Sequence, residues 1–122
     1  MFAEHSAAFT HTPIFPLQSQ YDAWQTGHVL KHGNDPAVVN LMGKNITERM
    51  FANIFTNHPD SGAFLDSCHH HCGDWDGSEI DGKLTGSALQ EWYNMGSQKL
   101  PNKGFFNQDK PFPCDACCKP GN

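Results

Sequence analysis

Apolar positions along the chain fall into separate patches, and their spacing differs from patch to patch. Residues 13 to 19, Pro-Ile-Phe-Pro-Leu-Gln-Ser, are short and mostly apolar, as in a buried strand feeding a loop. Pro16 is the objection, because proline inside a central strand removes a ladder donor. Gly33-Asn34-Asp35-Pro36 reads as a turn. Beyond it Val38, Leu41, Met42, Ile46, Met50, Phe51, Ile54 and Phe55 recur at three- and four-residue spacing, most regularly from Ile46 onward. That periodicity predicts a helix over 46 to 57, started by Thr47 or Asn45 as a cap and ended at Asn57-His58-Pro59. Gly62 to Ser67 fits a short strand, 73 to 84 a Gly- and Asp-rich loop, and Ser87 to Met95 a second helix with Ala88, Leu89 and Trp92 on one face. The tail from Pro101 holds three of the five cysteines and four of the eight prolines, which predicts an irregular segment fastened by sulfur.

This order of strand, helix, strand, helix and cysteine-rich tail predicts an α/β fold and resembles the closing third of an α/β sandwich. Such a piece leaves one sheet edge open, a liability in water, and implies further sequence upstream. There is no internal repeat and no low-complexity segment.

The 122 residues suffice for one domain with a modest core and fall short of a catalytic α/β domain of about 200 residues or more. Lys+Arg 8 against Asp+Glu 13 gives a net charge of −5, and the lone Arg49 leaves no basic stripe to neutralise phosphates. Nucleic acid is therefore not an expected partner. No apolar run approaches the roughly 18 residues a membrane span needs. Met1-Phe2-Ala3-Glu4-His5 lacks the basic start and apolar stretch of a signal peptide. Cysteines at 68, 72, 114, 117 and 118 nevertheless suit an exported, disulfide-bearing protein, and Asn45-Ile46-Thr47 is an N-glycosylation sequon. A secreted, extracellular or cell-wall protein is expected, with its export signal outside this chain.

Three constellations invite chemistry. Cys68-His69-His70-His71-Cys72 carries zinc-type ligands, but consecutive extended residues alternate sides, and structural zinc sites space their ligands as C-x₂₋₄-C with a second pair elsewhere. Asp74 to Thr85 has the acidic start of a calcium loop, yet Glu79 stands where glycine is needed and Thr85 where the bidentate Glu belongs. No metal site is expected from either. The third is Asp22 with His71, each placed just after a candidate strand, at the sheet edge where α/β proteins collect their chemistry. In a hydrolase triad the acid fixes the imidazole tautomer, and the imidazole moves the nucleophile's proton.

Pro13-Ile-Phe-Pro-Leu-Gln-Ser-Gln-Tyr-Asp-Ala-Trp-Gln25, Asp66-Ser-Cys-His-His-His-Cys72, Glu91-Trp92-Tyr93 and Pro111-Phe-Pro-Cys-Asp115 occur in one collinear order. Together they resemble the C-terminal part of the pectin acetylesterases, a family that includes the animal carboxylesterase Notum. The resemblance covers nearly all of residues 2 to 120. It implies an α/β-hydrolase-like fold of which this chain is the C-terminal portion of one domain, with the nucleophile half outside it. It also implies a Ser-His-Asp carboxylesterase removing acyl groups from a cell-wall polysaccharide such as pectin. The triad acid falls on Asp22 and the histidine on His71, while His69 and His70 fall on variable positions. No serine of the chain sits in a Gly-x-Ser-x-Gly elbow, so this chain alone is expected to be inactive.

Asp66 stands where the family carries Asn, which makes it a rival acid for His71. Cys68, Cys72, Cys114 and Cys118 are the disulfide candidates, with Cys118 rather than Cys117 keeping the family's spacing from Cys114. Cys68 and Cys72 pair only if their loop folds back, so each is alternatively bonded to the tail or to sequence beyond the chain. Lys110 replaces a cysteine of plant members and Cys117 is extra, so the family's pairing does not transfer. No cofactor is implied, since Ser-His-Asp acyl transfer needs none, and a monomer is expected. Two other readings stand beside this one: a non-catalytic disulfide- or His-rich module, and a Notum-like deacylase of a protein-linked lipid.

Overall fold

The computed structural model describes residues 3–96 and 104–118. After a short helix α1 (Ala3–Ser6) and a 3₁₀ turn (Ala7–Phe9), the chain enters strand β1 (Leu17–Ser19), followed by α2 (Ala23–His28) and α3 (Pro36–Met50). A π-helical turn (Phe51–Phe55) extends α3 and leads to β2 (Ala63–Asp66). Beyond β2 lie a 3₁₀ turn (Trp75–Gly77), the hairpin β3 (Glu79–Ile80) and β4 (Lys83–Leu84), α4 (Thr85–Asn94), β5 (Phe105–Asn107) and a last 3₁₀ turn (Asp115–Cys117).

Strands β1, β2 and β5 form a parallel sheet in the order β1-β2-β5, so the protein is α/β as its element order implies. All four residues of the central strand β2 are fully buried, as befits a parallel strand covered on both faces. Side chains alternate across the sheet. Phe64 and its register partner Phe106 point to one face, where Phe15, Ile80 and Ala88 of α4 complete a core. Phe105, one residue along, points to the other face and packs edge-on against Phe51 and Phe55 of the π-helical turn at 4.4 and 5.2 Å. Two glycines allow the indole of Trp92 to reach the sheet: a Cβ on Gly62 or Gly104 would stand 2.7 or 2.3 Å from its Cδ1.

Several expectations are corrected here. Pro16 does not interrupt a strand, because β1 starts one residue after it, and the Pro16 carbonyl accepts the Phe64 amide at 2.9 Å. The first long helix begins at Pro36 rather than 46. Asp35 caps it by accepting the Ala37 amide at 2.9 Å, and proline at the first helical position loses no bond. Thr47, read as a cap, lies inside the helix and donates to the Gly43 carbonyl at 3.0 Å. The tail is not wholly irregular, since β5 lies within it.

Sulfur also differs from expectation. Cys68 bonds Cys118 and Cys114 bonds Cys117, with Cα separations of 5.3 and 5.4 Å. Of the four disulfide candidates, Cys68, Cys114 and Cys118 are bonded, while Cys72 carries an exposed free thiol and Cys117 takes its place. Cys72 is exposed while Cys68 is buried, and the tail, held by a β-bridge between Cys118 and Ser78, brings Cys118 to Cys68 instead.

Candidate active site

The C-terminal ends of β1 and β2 are tied together by polar groups. Ser19 at the end of β1 is buried; its hydroxyl donates to the Cys68 carbonyl and accepts the Tyr21 amide at 2.9 Å. The Gln20 amide donates to the Asp66 carbonyl at 2.9 Å, and the Ala23 amide to the His70 carbonyl at 3.0 Å. These bonds place the loop after β1, with Asp22, alongside the loop after β2, with His71.

Asp22 and His71 meet. The Asp22 carboxylate is buried, and its Oδ2 lies 2.7 Å from His71 Nδ1. Its other oxygen, Oδ1, accepts the Gln25 amide at 2.9 Å and caps α2. One carboxylate therefore starts a helix and orients an imidazole at once. With Nδ1 facing a carboxylate, the His71 proton sits on Nδ1 and Nε2 is left as the basic nitrogen. The His71 side chain is 47% exposed against 7% for Asp22, so the inner partner is shielded and the outer one is accessible. Trp24, half exposed, stacks with His71 at a ring-centroid distance of 6.2 Å and with His28 at 5.3 Å. Beside this face opens a cleft of about 650 Å³ lined by Gln18, Trp24, Arg49, Met50, Ile54 and His71.

The rival acid Asp66 does not reach His71 but holds His70, with His70 Nε2 2.9 and 3.1 Å from its carboxylate oxygens. The third histidine, His69, places Nε2 2.8 Å from the Thr26 hydroxyl. The three consecutive histidines thus face three separate partners. For His70, burial pulls its proton affinity down most strongly, but the hydrogen bond and charge of Asp66, the Gly73 carbonyl and the charge of Asp74 outweigh it. The net shift is upward from the usual imidazole value. Burial and the Asp109 charge push the Tyr21 phenol up as well, against a smaller opposing pull from the backbone at Phe112.

Three buried serines near these loops have committed hydroxyls. Ser19 is bonded as above, Ser67 donates to Gln20 Oε1 at 2.9 Å and accepts the Lys110 amide, and Ser78 donates to Asp66 at 2.9 Å. None of the three is aimed at His71. The His70–Asp66 pair was not foreseen: a lone His among three and an Asp at a strand end carry no signal until the loop folds back on the strand.

The acid and the imidazole thus lie on the loops that follow two adjacent parallel strands. The pectinacetylesterase family model matches residues 1–119, and the chain belongs to that family. Among curated proteins it is similar to Pectin acetylesterase 5 of Arabidopsis thaliana, 26% identical over 145 residues that cover 97% of this chain and 32% of the relative. The chain thus spans about a third of that relative's length.

Proposed function

We propose that these residues are the C-terminal part of a secreted, cell-wall Ser-His-Asp carboxylesterase that removes acetyl groups from a polysaccharide such as pectin. The nucleophilic serine and the oxyanion hole come from sequence preceding Met1. The observation that carries this reading is the 2.7 Å bond from buried Asp22 to His71 Nδ1, which leaves His71 on an accessible face beside a cleft. The family membership supports an ester of a carbohydrate as substrate. No described helix is long and apolar enough to cross a membrane, and two disulfides suit an oxidising compartment.

In this mechanism His71 Nε2 takes the proton of the serine hydroxyl as it attacks the acetyl carbonyl. Asp22 keeps the ring oriented and stabilises the imidazolium. His71 then hands that proton to the sugar oxygen that leaves, which yields an acetyl-serine and a free hydroxyl on the polymer. Water, deprotonated by the same nitrogen, releases acetate in the second half. The test is to map the transcript upstream of Met1, express the whole reading frame, and assay acetate release from acetylated pectin by wild type and His71→Ala. A frame continuing into a Gly-x-Ser-x-Gly elbow, with a loss on the order of 10⁶ in kcat for the variant, is the expected result. A stop codon directly upstream, or near-normal turnover by the variant, overturns the reading.

A further inference from the structure

His70, the neighbour of the proposed catalytic histidine, has a partner on each ring nitrogen, and both partners are acceptors. Nδ1 lies 2.7 Å from the Gly73 carbonyl, and Nε2 lies 2.9 Å from Asp66 Oδ2. A carbonyl oxygen can only accept. Asp66 also accepts, because its carboxylate already takes the Cys68 amide at 3.2 Å and the Ser78 hydroxyl at 2.9 Å. A neutral imidazole has one N–H and satisfies one of these partners; two acceptors require two N–H groups, hence the imidazolium. The pair is enclosed, with side-chain exposures of 9% for His70 and 1% for Asp66, and the Trp75 ring covers it at 4.3 Å. The charged groups facing His70 are Asp66 from β2 and Asp74 from the start of the following 3₁₀ turn, both acidic.

The position of this cation in the chain gives it a consequence. Its ring closes the turn from His70 to Gly73 and pins that turn to the end of β2, while its own carbonyl receives the Ala23 amide from the loop carrying Asp22. His71 sits inside this closed turn. We propose that beside the Asp22–His71 pair, whose imidazole is neutral at rest, Asp66 and His70 form an acid–imidazolium pair, a positioning pair that carries no chemistry and whose charge holds the turn presenting His71 to Asp22. That role for His71 rests on the esterase reading; the state of His70 does not. When His70 loses its extra proton, its ring can donate to only one of Gly73 and Asp66, one of the two bonds closing the turn is lost, and the turn loosens. The pair thus makes the presentation of His71 dependent on pH on its alkaline side.

The experiment is a two-bond ¹H–¹⁵N correlation of the histidine rings in the ¹⁵N-labelled 122-residue protein. At pH 7.5 an unassisted imidazole is about 90% neutral, from its ordinary midpoint near 6.5. His70 is expected to keep both ring nitrogens protonated there, and in Asp66→Asn to revert to a single protonated nitrogen. A singly protonated His70 in the wild type at pH 7.5 overturns the proposal. The positioning arm follows the downfield His71 Nδ1 proton: it is expected to broaden away in His70→Ala and in wild type at alkaline pH, while the amide signals of β2 and α4 persist. Persistence of that proton at full intensity in both cases also overturns it. In the full-length enzyme, His70→Ala is expected to lower kcat about 10- to 100-fold with KM little changed. Asp66→Asn is expected to move the alkaline limb of the wild-type rate profile to lower pH. A doubly protonated His70 and a lost His71 proton in a protein without esterase activity would sustain this pair and overturn the esterase reading instead.

Discussion

The amide of Ala23 donates to the carbonyl of His70 at 3.0 Å, joining the residue after one carboxylate to the residue before one imidazole. Asp22 and His71 are 49 residues apart in sequence, yet this backbone bond sets their loops side by side before any side chain contributes. The Ser19 hydroxyl repeats the link one step closer to the sheet by donating to the Cys68 carbonyl. The geometry of the site is therefore built into the edges of two parallel strands.

Asp22 has two separable tasks, and two substitutions divide them. Asn at this position still accepts the Gln25 amide and keeps the α2 cap, but presents no carboxylate to His71 Nδ1. In the full-length enzyme Asp22→Asn is expected to lower kcat on the order of 10⁴-fold, with thermal stability close to wild type. Asp22→Ala removes the cap as well and should cost a further 1 kcal/mol or so of stability, read by urea denaturation.

The raised proton affinity of His70 fixes the sign of a pH effect on stability. A group whose folded value lies above its unfolded value contributes fully below the unfolded midpoint near 6.5. That contribution declines as the pH rises through the higher folded midpoint. Urea midpoints of the wild type should accordingly fall between pH 6 and pH 9, and the difference between wild type and Asp66→Asn should shrink over the same interval. A difference that grows with pH would contradict the assignment.

The two disulfides close rings of very different size. Joining Cys68 to Cys118 across 50 residues restricts the unfolded chain by about 4 kcal/mol on the chain-entropy account, and Cys114 to Cys117 by about half as much. Cys118→Ser should therefore destabilise more than Cys117→Ser. Peptide mapping under non-reducing conditions should recover the two pairs, with alkylation confined to Cys72.

Gly43 is a glycine in the middle of a long helix, where alanine ordinarily gains about 1 kcal/mol. Here a Cβ would stand 2.5 Å from Tyr21 Cε1, and that ring is held by bonds from its hydroxyl to Lys110 and Asn40 and by Phe112 against its edge. Gly43→Ala is expected to destabilise by about 1–3 kcal/mol despite its helix preference, measured by thermal melting. A stabilised variant would show that Tyr21 moves aside freely.

What the sequence disclosed follows from how local each signal is. Strand β2 and helix α4 were legible because a short apolar run and helical spacing need no partner to be recognised, although of the three residues read as one face of α4 only Ala88 and Trp92 are buried and Leu89 is exposed. The start of α3 was misread: Asp35-Pro36 is at once a turn signature and a cap followed by a first helical proline, and the polar run around Lys44-Asn45 hid the periodicity of the exposed helix. Strand β5 is three residues long and exists through its register with Ala63, Phe64 and Leu65, a pairing that no local pattern announces. Likewise His70 and Asp66, four residues apart, were placed in one strand and loop edge, and only the closed turn brings their rings and oxygens together.

The bond between Cys68 and Cys118 makes a covalent circle, and His71 lies on it while Asp22 lies outside. A protease that nicks the exposed stretch from Cys72 to Asp74, or any other point between the two sulfurs, opens the circle without releasing a piece. Both cut ends remain on the same molecule until a reductant arrives. A nick between Asp22 and Cys68 is different in kind, for it severs the acid from the histidine and leaves only packing and hydrogen bonds to keep them together.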